Sequence, residues 1–334
     1  MADLVPVPGV MLERLAALGV DVERVLEKAG ISRALLAPPR GRVTTAEFFA
    51  LWRAIEELGG ARDLGLRLGA EALPHKYDIA SMAALHSLTL GEALGKIAKY
   101  KRLVCPEEVL VEIEKGEARL RFHWLLAEGD PPRFLVDGTF ASVLALVRFG
   151  TQKDIAPVRV ELARRRMDAG ILARHFGCEI RFDAPVDLLV LPEAALAEPF
   201  VTHNSDLLAL LLPGLDAELD EHGRRRSLTE DVRVALCRRM CGERPSVNKL
   251  AKDLRVSPRT LQRRLEEAGT TYQRLLDEVR YQSARRLLAR TDIDAGEVAF
   301  LLGFEELNSF TRAFQGWEGT TPARYRALAR PLEA

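Results

Sequence analysis

The chain has 334 residues, 48% of them hydrophobic and 29% charged, and its formal net charge is zero at pH 7. This length predicts two domains, because one domain usually spans roughly 100–200 residues. No apolar run approaches the ~18 residues of a membrane helix, and the N-terminus lacks the basic and apolar stretches of a signal peptide. Four cysteines in so long a chain do not indicate a disulfide framework. We therefore expect a cytoplasmic protein with no membrane partner.

The charges are unevenly distributed along the chain. From Arg224 onward there are 22 Lys and Arg against 15 Asp and Glu, whereas the upstream residues carry 26 against 33. A basic segment joined to an acidic one indicates that only the C-terminal part meets a polyanion.

The upstream part combines helical and extended patterns. Thr44-Thr45-Ala46-Glu47 precedes an apolar periodic run that Gly59-Gly60 closes, which is the start and stop chemistry of a helix. Further helices are predicted over 90–103 and 134–149. Alternating apolar residues predict strands over 109–113, 118–124, 158–162 and 179–182. These elements indicate an α+β domain whose sheet comes from the middle of the chain.

A leucine-rich helix is predicted over 205–219. Its leucines occupy more than one face: Leu207, Leu208, Leu210, Leu211, Leu212, Leu215 and Leu219. One face can pack on its own domain, and a second copy of the chain is the simplest partner for the remainder. Two interpretations stay open, a homodimer formed through this helix and a helix buried entirely in its own domain.

The domain boundary is predicted near residues 221–226, where a glycine and a charge run coincide with the change in charge sign. Residues 1–222 would form the first domain and residues 223–334 the second. Arg224, Arg225 and Arg226 are interpreted as a solvated linker, with phosphate contact as the alternative.

Downstream of residue 225 the chain is predicted to be all-α, and one pattern occurs twice. The first copy is Leu250-Ala251, Val256, Leu261, Leu265 and Gly269-Thr270-Thr271. The second is Val298-Ala299, Phe304, Phe310, Phe314 and Gly319-Thr320-Thr321. Spacings differ by single residues where turns are expected, so each copy is interpreted as one helix-turn-helix unit, over about 246–267 and about 294–316.

Each unit has an inner apolar face and an outer polar face. In the first, Ser257 suits an N-cap and Pro258 the first helical position. The side chains predicted to face outward and contact DNA are Arg259, Gln262 and Arg263 in the first unit and Asn308, Thr311 and Arg312 in the second. Arginine pairs bidentately with guanine, and glutamine or asparagine pairs with adenine, in the major groove.

A linker helix is predicted between the units over about 272–289. At ~1.5 Å per residue it would span roughly 27 Å. This approaches the ~34 Å between successive major-groove faces on one side of B-DNA. One chain could therefore place two recognition helices in adjacent grooves, and the alternative is a plain helical bundle with solvated arginines.

Over residues 228–330 the sequence resembles the DNA-binding domain of AraC/XylS-type transcription regulators. The second copy carries that family's signature in Gly303-Phe304, Phe310, Arg312, Phe314 and Thr321-Pro322, with Tyr325-Arg326 following. The first copy matches at Leu250-Ala251, Ser257, Leu261-Gln262-Arg263 and Gly269, and the linker helix matches at Arg280, Ala284 and Leu287-Leu288. Arg259 and Leu307 depart from residues common in the family, so no operator sequence is carried over.

Upstream, Leu64-Gly65-Leu66-Arg67-Leu68-Gly69 and the segment 87–94, with Tyr100 following, resemble the arabinose-binding-like regulatory domain of one AraC branch. The resemblance implies an effector-sensing or dimerising role. Together the two resemblances imply a sequence-specific regulator, an activator that responds to a small molecule, with double-stranded DNA as partner and RNA polymerase as a candidate partner.

Other chemistry is weakly supported. Cys237 and Cys241 lie one helical turn apart, but zinc needs four ligands, so we expect no metal, no cofactor and two structural thiols. His86 and His123 could line a pocket, although a structural role is the alternative for each. We expect no enzyme activity. The rival functions are an enzyme fused to a DNA-binding module and an architectural DNA-binding protein without an effector.

Overall fold

The computed structural model describes residues 3–36, 41–71, 79–125, 130–225, 228–239 and 245–329. The chain divides into two compact units. Unit 1 comprises Met1–Glu161, Met167–Arg181 and Asp187–Arg224, and unit 2 comprises Leu162–Arg166, Phe182–Val186 and Arg225–Ala334.

Unit 1 is α+β, as predicted. Its helices are α1 Gly9–Ala17, α2 Val22–Ala29, α3 Thr45–Leu58, α4 Leu64–Ala70, α5 Ile79–Leu85, α6 Leu90–Val104, α7 Arg133–Thr151, α8 Ala169–Phe176 and α9 Ser205–Arg225. Its strands are β1 Val5–Pro6, β2 Arg42–Val43, β3 Glu107–Glu114, β4 Glu117–Trp124, β5 Arg159–Glu161, β6 Glu179–Arg181 and β7 Leu188–Pro192. Short 3-10 helices cover Arg33–Leu36 and Glu193–Ala197.

The larger sheet has the order β3-β4-β7-β5-β6, with β5 and β6 parallel and the other neighbours antiparallel. The four strands predicted in sequence are present, but β7 was not predicted. It lies in the centre of the sheet, where Leu189 pairs with both Leu120 of β4 and Val160 of β5. All three side chains are fully buried, so the unpredicted strand joins the two halves of the sheet.

The predicted cap of α3 is present. The Thr44 N–H donates to the Glu47 carboxylate at 2.7 Å, and the Glu47 N–H donates to the Thr44 hydroxyl at 3.2 Å. This reciprocal pair satisfies two of the free N–H groups at the helix start. It fixes the helix whose buried face carries Phe48, Phe49 and Trp52.

Helix α7 forms a long part of the core of unit 1. By length and composition alone it could cross a membrane, but two thirds of it is buried inside the unit. It packs closely on α4, where the backbones approach at Gly69 and Gly138 and leave no room for a side chain at Gly69. Burial against other helices is the ordinary reason for such a composition in a globular domain.

Helix α9 packs on α5 and α6 within unit 1. Leu208 and Leu215 are buried in one cluster with Tyr100. The Asp216 carboxylate accepts hydrogen bonds from Lys99 Nζ at 2.6 Å and from Tyr100 Oη at 2.7 Å. Leu208 therefore packs within unit 1, whereas Leu210 on the same helix is exposed, and the homodimer stays a prediction.

In the C-terminal part of unit 2, the regular elements among the described residues are all helices. Its helices are α10 Leu228–Arg239, α11 Val247–Asp253, α12 Pro258–Glu267, α13 Tyr272–Arg290, α14 Ala295–Leu301, α15 Leu307–Glu318 and α16 Pro322–Ala329. The two helix-turn-helix units are thus α11–α12 and α14–α15, and α13 links them. The second helix-turn-helix ends with α15 at Glu318, two residues beyond the predicted range.

Candidate nucleic-acid interface and internal cavity

The first helix-turn-helix is built by local capping and a shared core. The Thr260 N–H donates to the Ser257 hydroxyl at 3.1 Å, and Pro258 occupies the first turn of α12. Leu261 and Leu265 are fully buried. Since these leucines lie one helical turn apart, they hold one face of α12 inward and leave the opposite face in solvent.

The outward face of α12 carries the side chains that the sequence predicted. Arg259, Gln262 and Arg263 are all exposed. Arg263 forms an ion pair with Glu267 one turn later, at 3.1 Å. An exposed i,i+4 pair contributes only about 0.3–0.5 kcal/mol, so the guanidinium can exchange this partner for a base edge.

The second helix-turn-helix has its own cap and turn. The Asp294 carboxylate accepts from the N–H groups of Gly296 at 2.7 Å and Glu297 at 2.9 Å. Gly303 follows α14 with φ +71°, a left-handed conformation that favours glycine. Phe310 and Phe314 are fully buried and fix the inner face of α15.

The outer face of α15 is less polar than that of α12. Asn308 and Arg312 are exposed, but Thr311 is half-buried. Leu307, at the start of the helix, is 45% exposed. The second recognition helix therefore presents fewer groups that can hydrogen-bond to a base edge.

Sequence reasoning missed the role of Arg280, in the middle of α13. Its side chain is buried, and it donates from Nε to the Leu302 carbonyl and from Nη2 to the Gly303 carbonyl, both at 2.9 Å. The guanidinium also lies 4.3 Å from the centre of the Phe304 ring. Arg280 thus satisfies carbonyl groups at the end of α14 and ties the linker helix to the turn of the second unit.

The linker helix spans the distance that the sequence predicted. Helix α13 has 19 residues, which corresponds to about 28 Å at ~1.5 Å per residue. Its buried residues include Leu275, Leu276, Val279 and Leu287, whereas Tyr272 is only partly buried. The linker helix therefore packs against both helix-turn-helix units through one shared core.

Unit 1 contains a partly open cavity of about 240 Å³. Aromatic side chains form much of its wall, and α6, β3 and α7 contribute further lining residues: Phe48, Trp52, Phe122, Trp124, Lys101, Cys105, Glu107, Thr139 and Ser142. Neither His86 nor His123 is among the described residues that line it. His86 instead contacts the Thr202 carbonyl through Nδ1 at 2.7 Å, which fits the structural alternative.

The charged groups on the cavity wall are Glu107 and Lys101, whose Oε2 and Nζ atoms lie 3.5 Å apart. Burial raises the pKa of the Glu107 carboxyl, and the nearby Lys101 ammonium opposes that rise. Trp52 is buried, and its Nε1 has no hydrogen-bond partner among the described residues.

The described residues hold no group of three or more His, Cys, Asp or Glu side chains placed to bind a metal ion. Cys241 and the side chain of Cys237 lie outside the described residues. Burial raises the pKa of the Cys178 thiol to about 11, which makes it a poor nucleophile.

Two family matches cover most of the chain. Residues 19–200 match the arabinose-binding domain found at the N-terminus of AraC transcription regulators, and residues 250–328 match a helix-turn-helix domain. The first range contains the five-stranded sheet, and the second contains the two helix-turn-helix copies.

Relatives with similar length support the same assignment. The chain is 31% identical over 329 residues to the Ornithine utilization regulator of Pseudomonas aeruginosa, with 97% of each chain covered. It is 26% identical to the regulator VqsM of the same species, with 88% of this chain and 93% of that protein covered. The crystal structure of the regulator CdpR from Pseudomonas aeruginosa matches 96% of this chain and 97% of its own, at 24% identity and a TM-score of 0.46. The family match over residues 19–200 and the 31% identity to the Ornithine utilization regulator show that the chain belongs to the AraC family of DNA-binding transcription regulators.

Proposed function

We propose that residues 223–334 read a specific DNA sequence by placing α12 and α15 in successive major-groove segments of one duplex. The observation that carries this proposal is the pair of exposed polar faces, Arg259, Gln262 and Arg263 on α12 and Asn308 and Arg312 on α15, with Thr311 at the margin. Both faces are held by one core, so a single chain presents them at a fixed separation.

Base readout by α12 is tested at Arg263. Arg263→Ala should weaken binding to the selected operator by about 1–3 kcal/mol and relax the preference at one or two base pairs. Operators are first selected from a random duplex library with the full chain, and affinities are then measured by fluorescence anisotropy. Arg274→Ala is the control, because Arg274 is an exposed arginine on the linker helix. An equal loss on all sequences would mean that Arg263 contacts phosphate, and the base assignment would be wrong.

The division of labour between the domains has a separate test. The segment 224–334 should bind DNA without residues 1–222, and its affinity should fall steeply with salt, because each arginine that contacts phosphate releases counterions. A folded segment that fails to bind DNA at low salt would contradict the proposed boundary and assignment.

We further propose that residues 1–222 bind a small-molecule effector in the cavity of unit 1. The cavity is enclosed largely by apolar side chains with a few polar groups, which is the usual composition of a ligand site. A thermal-shift screen of the full chain separates this function from its rivals. A binder that changes DNA affinity without being turned over supports an effector, turnover supports a fused enzyme, and no binder supports an architectural protein. One relative is named the Ornithine utilization regulator, so the screen should include L-ornithine.

The remaining elements of the proposal concern assembly. We propose that the regulator acts in the cytoplasm as an activator that engages RNA polymerase, and as a homodimer. Leu210 of α9 is 79% exposed, and a second chain would cover it. Leu210→Glu should shift sedimentation towards monomer without loss of helical circular dichroism. A parent protein that sediments as a monomer at all concentrations would contradict the dimer.

A further inference from the structure

We infer that the cavity of unit 1 binds a neutral, largely apolar molecule with a single hydrogen-bonding group, held beside the Glu107–Lys101 pair. This inference rests on the proposed effector function and names the chemical class of the effector. It excludes sugars and charged amino acids as the preferred ligands.

The size of the cavity limits the size of the ligand. Its volume is about 240 Å³, whereas an engineered apolar cavity of about 150 Å³ in another protein holds one benzene molecule. By proportion, the ligand has about ten non-hydrogen atoms. A fused bicyclic aromatic alcohol has this size.

The wall chemistry favours an apolar body. Phe48, Trp52, Phe122 and Trp124 line the space, and the tilted rings of Phe48 and Trp124 have centres 5.5 Å apart. A sugar of the same size carries a hydroxyl on nearly every carbon. Each hydroxyl buried without a partner costs free energy, so an aromatic or aliphatic body fits this wall better.

The charges on the wall favour a neutral ligand. Glu107 and Lys101 are separated by 3.5 Å and have opposite charges, so their fields largely cancel inside the cavity. A ligand ion would bring a third charge into an apolar space without its own counterion, which is strongly unfavourable. A neutral polar group can instead donate to the Glu107 carboxylate, which lies on the cavity wall.

The chain contains a natural control for Glu107. Glu108 is as buried as Glu107, and its Oε1 atom lies 3.9 Å from Nη1 of Arg102. Arg102 belongs to α6, the helix that also carries Lys101. Among the described residues, Glu107 lines the cavity and Glu108 does not. The two positions differ in access to the cavity but match in burial and in having a cationic neighbour.

The first experiment measures ligand class with the full chain by isothermal titration calorimetry at neutral pH. The probes are 1-naphthol, naphthalene, 1-naphthoate, L-arabinose and L-ornithine. We expect 1-naphthol to bind about tenfold more tightly than naphthalene, which lacks the polar group. We expect 1-naphthoate to bind more weakly than 1-naphthol, and neither L-arabinose nor L-ornithine to compete.

Three variants then place the binding in this cavity. Glu107→Gln removes the negative charge from the cavity wall, so the preference should change towards 1-naphthoate, whereas Glu108→Gln should keep the parent preference. Trp52→Phe replaces one aromatic side chain of the wall by a smaller one, so 1-naphthol and naphthalene should both bind more weakly. Ser142→Phe fills the space and should abolish binding of both. Circular dichroism identifies any variant that fails to fold, and Trp52→Phe then carries the test.

The outcomes separate the ligand class from the effector function. If L-ornithine or L-arabinose binds in the cavity and changes DNA affinity while 1-naphthol does not bind, the inferred class is wrong and the effector function stands. If 1-naphthol binds but Ser142→Phe and Trp52→Phe leave its affinity unchanged, the site is elsewhere and the inference is overturned. If 1-naphthol binds as expected without changing DNA affinity, the class is right for the cavity and the effector function fails.

Discussion

Arg280 gives the sharpest test of how the second helix-turn-helix is held. We expect Arg280→Met to destabilise α14 and α15 while leaving α11 and α12 in place. Methionine keeps an apolar side chain of similar length, so the change removes the guanidinium and little of the packing. Two hydrogen bonds of 2.9 Å and a contact with the Phe304 ring are lost.

The size of the effect follows from these contacts. A hydrogen bond to a charged group contributes about 1.5–3 kcal/mol, and a cation–π contact adds about 0.5–2 kcal/mol. The side chain is only 9% exposed, so desolvation of the guanidinium offsets part of this gain. We therefore expect the local stability of the second helix-turn-helix to fall by about 2–4 kcal/mol. Arg280→Lys should lose less, because lysine keeps the charge but lacks the planar fork.

A local assay is needed, because a chain of two units need not unfold in one step. Hydrogen exchange of the amides in residues 294–318 should accelerate by about thirty-fold to several-hundred-fold. Arg274→Met is the matched control on the same helix: its side chain is 70% exposed, and a change of less than about 0.5 kcal/mol is expected. If both variants exchange alike, Arg280 does not hold the second unit.

Three further outcomes are expected in unit 1. Lys99 donates a hydrogen bond to the Asp216 carboxylate and lowers its pKa, so this contact stabilises the protein above the ordinary aspartate pKa and is lost as the pH falls through the lowered pKa. Between about pH 6 and about pH 2 the melting temperature of Asp216→Asn should therefore fall less than that of the parent. Equal falls would refute this. Leu208→Ala should cost about 2–4 kcal/mol in urea titrations, whereas Leu210→Ala should cost under about 0.5 kcal/mol, and similar costs would contradict the assigned burial. Iodoacetamide should label Cys178 slowly in the native protein, since burial raises its pKa to about 11, and peptide mass spectrometry that finds fast labelling would show the thiol to be accessible.

Local patterns predicted most elements of the fold because their causes are local. The Thr44–Glu47 capping box, the serine cap at Ser257 and the left-handed glycine Gly303 each depend on residues within a few positions of one another. The repeat fixed the inner faces of both helix-turn-helix units for the same reason, since Leu261 and Phe310 follow helical spacing.

The features that were missed depend on contacts distant in sequence. Strand β7 is a short apolar run, and only its pairing with β4 and β5 distinguishes it from a buried loop. The burial of Arg280 was not predicted, because a charged side chain usually faces solvent. Its partners, the carbonyls of Leu302 and Gly303, lie more than twenty residues away. The leucines of α9 could not be divided between core and interface by their spacing alone.

The two recognition helices should contribute unequally to base discrimination. Helix α12 exposes Arg259, Gln262 and Arg263, whereas α15 begins with Leu307 and has Thr311 half-buried.

A leucine cannot hydrogen-bond to a base edge, and a partly buried threonine reaches less far into the groove, so α15 depends mainly on Asn308 and Arg312. Arg263→Ala should therefore relax base preference more than Arg312→Ala does, while both lower affinity at low salt. Selection from a random duplex library with each variant, read as the information content of each half-site, measures the difference. A greater loss of preference in Arg312→Ala would show that α15 is the main reader and that exposure of polar side chains does not rank the two helices.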